Sequence, residues 1–166
     1  LNYAKYIQRS LLPDVKKMEN YFGENLIYSM PKDIVGGDFY WFKTFGEKAI
    51  LIAADCTGHG VPGGFITMLG SLLIETSTGD TIKSPEIILS DLNRGLVTLL
   101  KQDEEDSIQD GMDLAICQID REQRTIKFSG SRNGIYIIHD DGDISNFSGD
   151  SVPVGGVYSK RHNPVS

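Results

Sequence analysis

Two aspartates stand where a pair of strand ends would bring them together. Asp38 opens the run "DFYWFKTF", and Asp55 closes the apolar run that begins at Lys48, with a turn at Phe45-Gly46-Glu47 between the runs. This strand–turn–strand spacing predicts a hairpin, and antiparallel pairing places Asp38 and Asp55 side by side. Two carboxylates with no Lys or Arg near them in sequence repel each other unless a cation sits between them. All-oxygen ligands favour Mn²⁺ or Mg²⁺, so the pair could floor a two-metal centre of the kind that activates water for in-line attack at phosphorus. Gly36, Gly37, Gly58 and Gly60 flank the aspartates and let the backbone crowd such a site. Spacing alone leaves a plainer reading equally open, in which Asp38 is a strand-start residue and Asp55 a turn cap.

The stretch from Gly58 to Gly63 spells G-x-G-x-x-G and invites a dinucleotide cradle, with Glu75 and Asp80 near the offset of a ribose-binding acid. Three features oppose it. The preceding strand pairs in a hairpin rather than in a parallel unit. The next strand comes only after a second helix and an acidic loop. Asp55 would also face a pyrophosphate without a screening cation. No Gly-Lys-Ser/Thr follows, so the loop is not a Walker loop. A cysteine phosphatase needs Arg where Pro62 and Gln123 follow Cys56 and Cys117. A haloacid-type enzyme needs D-x-D, which Asp55-Cys56-Thr57 lacks, and "GGDFY" lacks the second acid of a diguanylate cyclase turn.

The elements that must position these residues follow from periodicity. Apolar spacing over Leu1 to Leu12 predicts a helix ended by Pro13. Leu26 to Met30 reads as a short strand, and the hairpin strands run Asp38 to Phe45 and Lys48 to Asp55. Val61 to Thr76 reads as a helix with Pro62 in its first turn. Ser84 to Leu100 reads as another, with Ser84 as N-cap and Pro85 at N1. Strands at Asp113–Asp120, Thr125–Ser131, Ile135–His139 and Ile144–Phe147 follow as an antiparallel meander. The order predicts an α+β fold with helices on antiparallel sheet.

The bulk numbers set limits. The 166 residues are 40% hydrophobic and 23% charged, as expected of one domain with a true core. The formal charge is −7 and no Lys/Arg cluster occurs, which argues against a nucleic-acid binder. No apolar run approaches the roughly 18 residues of a membrane span. Cys56 and Cys117 show no metal or redox spacing and fit a reducing compartment. The chain begins without Met or signal peptide, at "LNYAKYIQRSLLP", and reads as part of a longer protein.

Five segments, in order, carry a resemblance: "KDIVGGDFYWF" (32–42), "ADCTGHGVPGGF" (54–65), "GMDLAICQID" (111–120), "FSGSRNGIYII" (128–138) and "PVGG" (153–156). Together they resemble the SpoIIE-type branch of the metal-dependent, type 2C-like serine/threonine phosphatases, and "IQRSLLP" (7–13) is similar to the linker that leads into that domain. The resemblance implies an antiparallel β-sandwich flanked by α-helices, with the C-terminal part of the fold absent. Residues 1–13 would form an N-terminal linker or regulatory helix, and 14–166 the phosphatase domain, incomplete at its C-terminus. By the same resemblance Asp38 and Asp55 are catalytic metal ligands in a centre of two Mn²⁺ or Mg²⁺ ions, Asp55 bridges them, and Cys56 offers its backbone carbonyl. Water activated by metal would attack phosphoserine or phosphothreonine directly, without a phosphoenzyme. The implied substrate is a phosphorylated anti-sigma-factor antagonist of STAS fold. The implied setting is a cytoplasmic bacterial signalling protein with an upstream sensor or receiver domain, with no nucleic acid and no membrane contact by this segment. The family continues with further metal-binding aspartates in S/T-D-G and D-D segments that this sequence does not contain. Gly130-Ser131-Arg132-Asn133-Gly134 also departs from the family's Pro-containing motif. A non-catalytic, partner-binding module is therefore the alternative.

Other residues have two readings each. His59 could be a general acid, but a loop-ordering hydrogen bond is the favoured role. Gly37 and Asp113 could line the site. Arg132 could bind phosphate or serve only its turn. Trp41 and its aromatic neighbours read as core, and His139 and His162 as surface. The first helix could continue an upstream coiled coil, mediate a homodimer, or simply pack.

Overall fold

A computed structural model describes residues 2–30 and 33–156 of the chain. Two short helices come first, α1 (Asn2–Leu11) and α2 (Val15–Phe22). The hairpin β1 (Asp38–Phe45) and β2 (Lys48–Cys56) follows, then α3 (Gly60–Thr78) and α4 (Pro85–Leu99). The remaining strands are β3 (Gly111–Asp120), β4 (Thr125–Ser131), β5 (Ile135–Ile138), β6 (Ile144–Phe147) and β7 (Val154–Gly155). One sheet runs β1-β2-β3-β4, with β7 paired to the start of β3, and β5–β6 form a separate hairpin. Every ladder between these strands is antiparallel.

Strand alternation sorts the sheet's two faces. Phe39 and Trp41 of β1, Ile50, Ile52, Ala54 and Cys56 of β2, and Met112, Leu114 and Ile116 of β3 all point to one side. There they meet Ile66 and Ile74 of α3 and Ile88, Leu92 and Leu96 of α4 in the main core. Trp41 gives its indole N–H to Glu75 at 3.2 Å, so the acid considered for a ribose is spent on the core edge. The opposite face carries a smaller cluster of Phe42 and Ala49 with Met18 and Tyr21 of α2. Leu92 is fully buried in the main core. Leu92→Ala is expected to cost about 2–5 kcal/mol, read as a lower urea midpoint at unchanged m-value.

Four features differ from the sequence reading. Leu26 to Met30 forms no strand. Only Ile27 packs inward while Leu26, Tyr28 and Met30 face solvent, and the segment has no ladder partner among the described residues. α2 was not foreseen, although Asp14 caps it by accepting from the Lys16 N–H at 3.0 Å and Met18 and Tyr21 share a helical face. The meander breaks after β4 because Arg132 turns in the left-handed region, with φ of 59°, and among the described residues β5 then pairs only with β6. Ser84 holds the N-cap position of α4, yet its hydroxyl donates to the Glu86 carboxylate and makes no cap bond. His162 lies outside the described residues.

Candidate active site

The hairpin turn sets the register that matters. Phe45 pairs with Lys48 across it, so Asp38 falls directly opposite Asp55. The next ladder pairs Asp55 with Asp113. Three aspartates from three strands therefore form one row at one end of the sheet, on the face away from α3 and α4. Cross-strand neighbours of this kind stand about 4.5–5.5 Å apart at Cβ, close enough for like charges to destabilise one another. The effect is visible at Asp55, whose carboxyl is held above its ordinary range. Partial burial is the largest cause, followed by a side-chain hydrogen bond with Asp38 and the charges of Asp38 and Asp113. A hydrogen bond between two carboxyl groups needs a proton on one of them, and a hard cation can take that proton's place.

The loops beside the row are fitted to it. Gly37 precedes Asp38, and a Cβ there would lie 2.8 Å from the Cys56 carbonyl oxygen and 3.0 Å from that of Gly58. A Cβ on Gly63 would meet the Gly58 carbonyl oxygen at 2.6 Å, so the turn after β2 is packed backbone against backbone. The Cys56 N–H donates to the Gly37 carbonyl at 3.2 Å and fastens the two strand ends together. The Cys56 side chain points into the main core, where burial pushes its thiol up to about 12, leaving only the backbone carbonyl available to a ligand. Thr57 ties the end of β2 to β3, as its N–H and hydroxyl both donate to the Gly111 carbonyl. His59 sits at the N-cap position of α3, with Nδ1 2.9 Å from the Asp33 carboxylate.

A cavity of about 530 Å³ opens beside the row. Asp55, Asp113, His59, Gln109 and Arg132 line it, along with Gly155 and Gly156 of the β7 turn. Asp38 faces a neighbouring cavity of about 700 Å³ with an apolar wall that includes Tyr40 and Leu51. Asp55 borders both and marks the meeting point. The structure thus gathers Gly37, Asp38, Asp55, Cys56, His59, Asp113 and Arg132 around one sheet end, whereas His139 bonds the Ser145 hydroxyl in the outlying hairpin. Among the described residues, no three His, Cys, Asp or Glu side chains close into a group that holds a metal unaided. The side-chain donors of the row are carboxylate oxygens, hard ligands of the kind that suits Mn²⁺ or Mg²⁺.

Sequence reasoning missed several supports. Gln8 of α1 grips both backbone groups of Gly36, donating to its carbonyl at 2.6 Å and accepting from its N–H at 3.1 Å. The Thr67 hydroxyl lies 3.0 Å and 3.1 Å from the carbonyl oxygens of Gly36 and Gly37. Gln102, 1% exposed, bonds the Ile108 and Asp110 carbonyls and the Gly156 N–H, which shapes the cavity wall. For Gln8 and Thr67 the sequence signal is a polar residue on a helical face that should be apolar, whereas Gln102 lies in the turn after α4 and carries no such signal.

Comparison with known proteins bears on this geometry. The profile of the family stage II sporulation protein E (SpoIIE) matches residues 46–162. Among solved structures, the SiaA-PP2C domain of Pseudomonas aeruginosa superposes with a TM-score of 0.82 at 29% identity, over 93% of this chain and 61% of that one. The PP2C phosphatase domain of SpoIIE from Bacillus subtilis, solved with a fragment of its regulatory domain, gives 0.56 at 24% identity, over 73% of this chain and 33% of that one. RsbX, solved in complex with magnesium, gives 0.52 at 20% identity, over 74% of this chain and 55% of that one. The last two attest the fold alone. This chain spans about three fifths of the first relative's length and less of the other two. No curated protein matches it.

Proposed function

Because the chain belongs to the SpoIIE family and folds as a PP2C-type phosphatase domain, we propose that it hydrolyses phosphoserine or phosphothreonine in a protein substrate with the help of Mn²⁺ or Mg²⁺. The observation that carries this reading is the row Asp38–Asp55–Asp113, three carboxylates in direct register at one sheet end. Asp38, Asp55 and the Cys56 carbonyl are the groups that would hold metal. Such ions, when bound, acidify water and offset the charge of a phosphoryl group. The protein's own part is positional. Gly37 and Gly63 let the backbone close around the row, Thr57 locks β2 to β3, and the His59–Asp33 pair orders the turn from β2 into α3. The substrate we propose is a phosphorylated STAS-fold anti-sigma-factor antagonist, met in the cytoplasm under control of an upstream sensor or receiver domain. No described helix is long and apolar enough to cross a membrane.

A second reading rests on the absence of a closed three-ligand group among the described residues. It makes the domain a non-catalytic module that binds a partner. Release of p-nitrophenol from its phosphate ester, with and without Mn²⁺, separates the two. The phosphatase reading expects turnover that begins on adding Mn²⁺ and extends to a phosphorylated STAS protein. Silence with every divalent cation, from protein with a folded circular dichroism spectrum, leaves the binding module.

A further inference from the structure

We infer that Arg132 anchors phosphate in the cavity beside Asp55, gripping the phosphoryl oxygens of a phosphomonoester through its terminal guanidinium N–H groups. The inference rests on the phosphatase reading for its substrate class. Among the described residues, Arg132 is the only Lys or Arg that lines this cavity, whose other charged walls are Asp55 and Asp113. A phosphomonoester dianion entering there meets like charge on two sides, and Arg132 is the side chain able to offset it.

The side chain is held but not used up. Its Nε donates to the Ser151 carbonyl at 3.2 Å, which fixes the inner edge of the guanidinium. Nη1 stands 3.9 Å from the Asp113 carboxylate, too far for a hydrogen bond, so the charges attract without committing the terminal protons. With 46% of the side chain exposed, those protons are open to a ligand. The planar fork that remains matches the spacing of two phosphoryl oxygens, which an ammonium cannot reproduce.

The backbone argues the same way. Arg132 adopts φ of 59°, a region costly for any residue with a Cβ. It is held there by its own N–H, which donates to the Asp150 carbonyl at 2.6 Å, and by the Asn133 N–H, which donates to Ser131 at 2.7 Å. This turn aims the side chain at the row of aspartates instead of along β4. A surface ion pair with Asp113 would bring little stability by itself. Binding a ligand gives the strained placement a purpose.

The test uses inorganic phosphate as probe, titrated calorimetrically into the protein at saturating Mg²⁺, beside KM and kcat for p-nitrophenyl phosphate. Arg132→Ala is expected to weaken phosphate binding and raise KM about tenfold or more, with kcat less affected. Arg132→Lys should recover only part of the loss. Arg132→Asn, which tolerates the left-handed backbone, should lose phosphate as Ala does, and this keeps the result independent of folding. Wild-type protein that takes up no phosphate overturns the inference. So does unchanged phosphate affinity in the Ala and Asn variants, or a loss confined to Mg²⁺ affinity. Arg132-dependent phosphate binding by a protein that hydrolyses nothing would uphold the anchor while sinking the phosphatase reading.

Discussion

Asp55→Asn is expected to cut Mn²⁺-dependent hydrolysis about a thousandfold and, in the same protein without metal, to raise the melting temperature. The two effects have one cause. Asp55 lies between Asp38 and Asp113 in the register, so it is the carboxylate that both neighbours repel and the one best placed to share a cation with either. Removing its charge should lower kcat by about three orders of magnitude, the scale of losing one preorganised electrostatic group at a reacting centre. The stability effect follows from the raised pKa, whose first cause is partial burial and whose second is the Asp38 hydrogen bond. The folded protein holds this proton more tightly than the unfolded chain does. Stability is therefore fully present below the ordinary value of 3.8 and declines as pH rises through the folded pKa. Asn removes that decline, so the variant should melt higher than wild type at pH 7, by about a few degrees at most given the solvent exposure of the site. The gap should close in acid. Scanning calorimetry at pH 7 and pH 4 in chelator checks the sign, and a lower melting temperature for the variant at pH 7 would show that the row carries no repulsion.

Gly37→Ala should also damage activity, by a smaller margin, without touching an acid. The added methyl would stand 2.8 Å from the Cys56 carbonyl oxygen and 3.0 Å from that of Gly58, and both are backbone atoms that no rotamer change can move. Either the start of β1 lifts from β2 or the turn after β2 is pushed outward. In both cases Asp38 leaves its place opposite Asp55. Misplacement on the ångström scale costs about a hundredfold in rate, so kcat/KM should drop by that order and half-activation should require more Mn²⁺. Overpacking should also cost about 1–3 kcal/mol in urea unfolding. Wild-type rates in this variant would show that activity does not depend on holding Asp38 against Asp55.

How much of this was legible in the sequence differs from element to element. The hairpin was, down to both ends of β1, because it is made by neighbours in the chain. Alternating aromatics, a Gly46-Glu47 turn and an apolar second strand leave one register, and that register alone brings Asp38 to Asp55. Pro85 and the apolar spacing after it were enough to place α4. The edges of the reading failed where pairing is not local. Leu26 to Met30 has the composition of a strand but finds no ladder among the described residues, and β5 leaves β4 because of one left-handed residue whose conformation no periodicity reveals.

The sequence by itself determined the α+β class, the hairpin, and an acidic pair beside glycines too small to block close backbone approach. Tertiary structure alone decided that Asp113 joins the row, since β2 and β3 are separated by two helices and their register depends on how those helices fill the core. It also decided that Gln8 and Thr67 brace the Gly36–Gly37 loop and that Arg132 turns toward the aspartates. The reason is physical. Local chain chemistry sets which conformations a segment prefers, whereas contacts between distant segments are settled by the burial of a shared core, and they exist only once that core has formed.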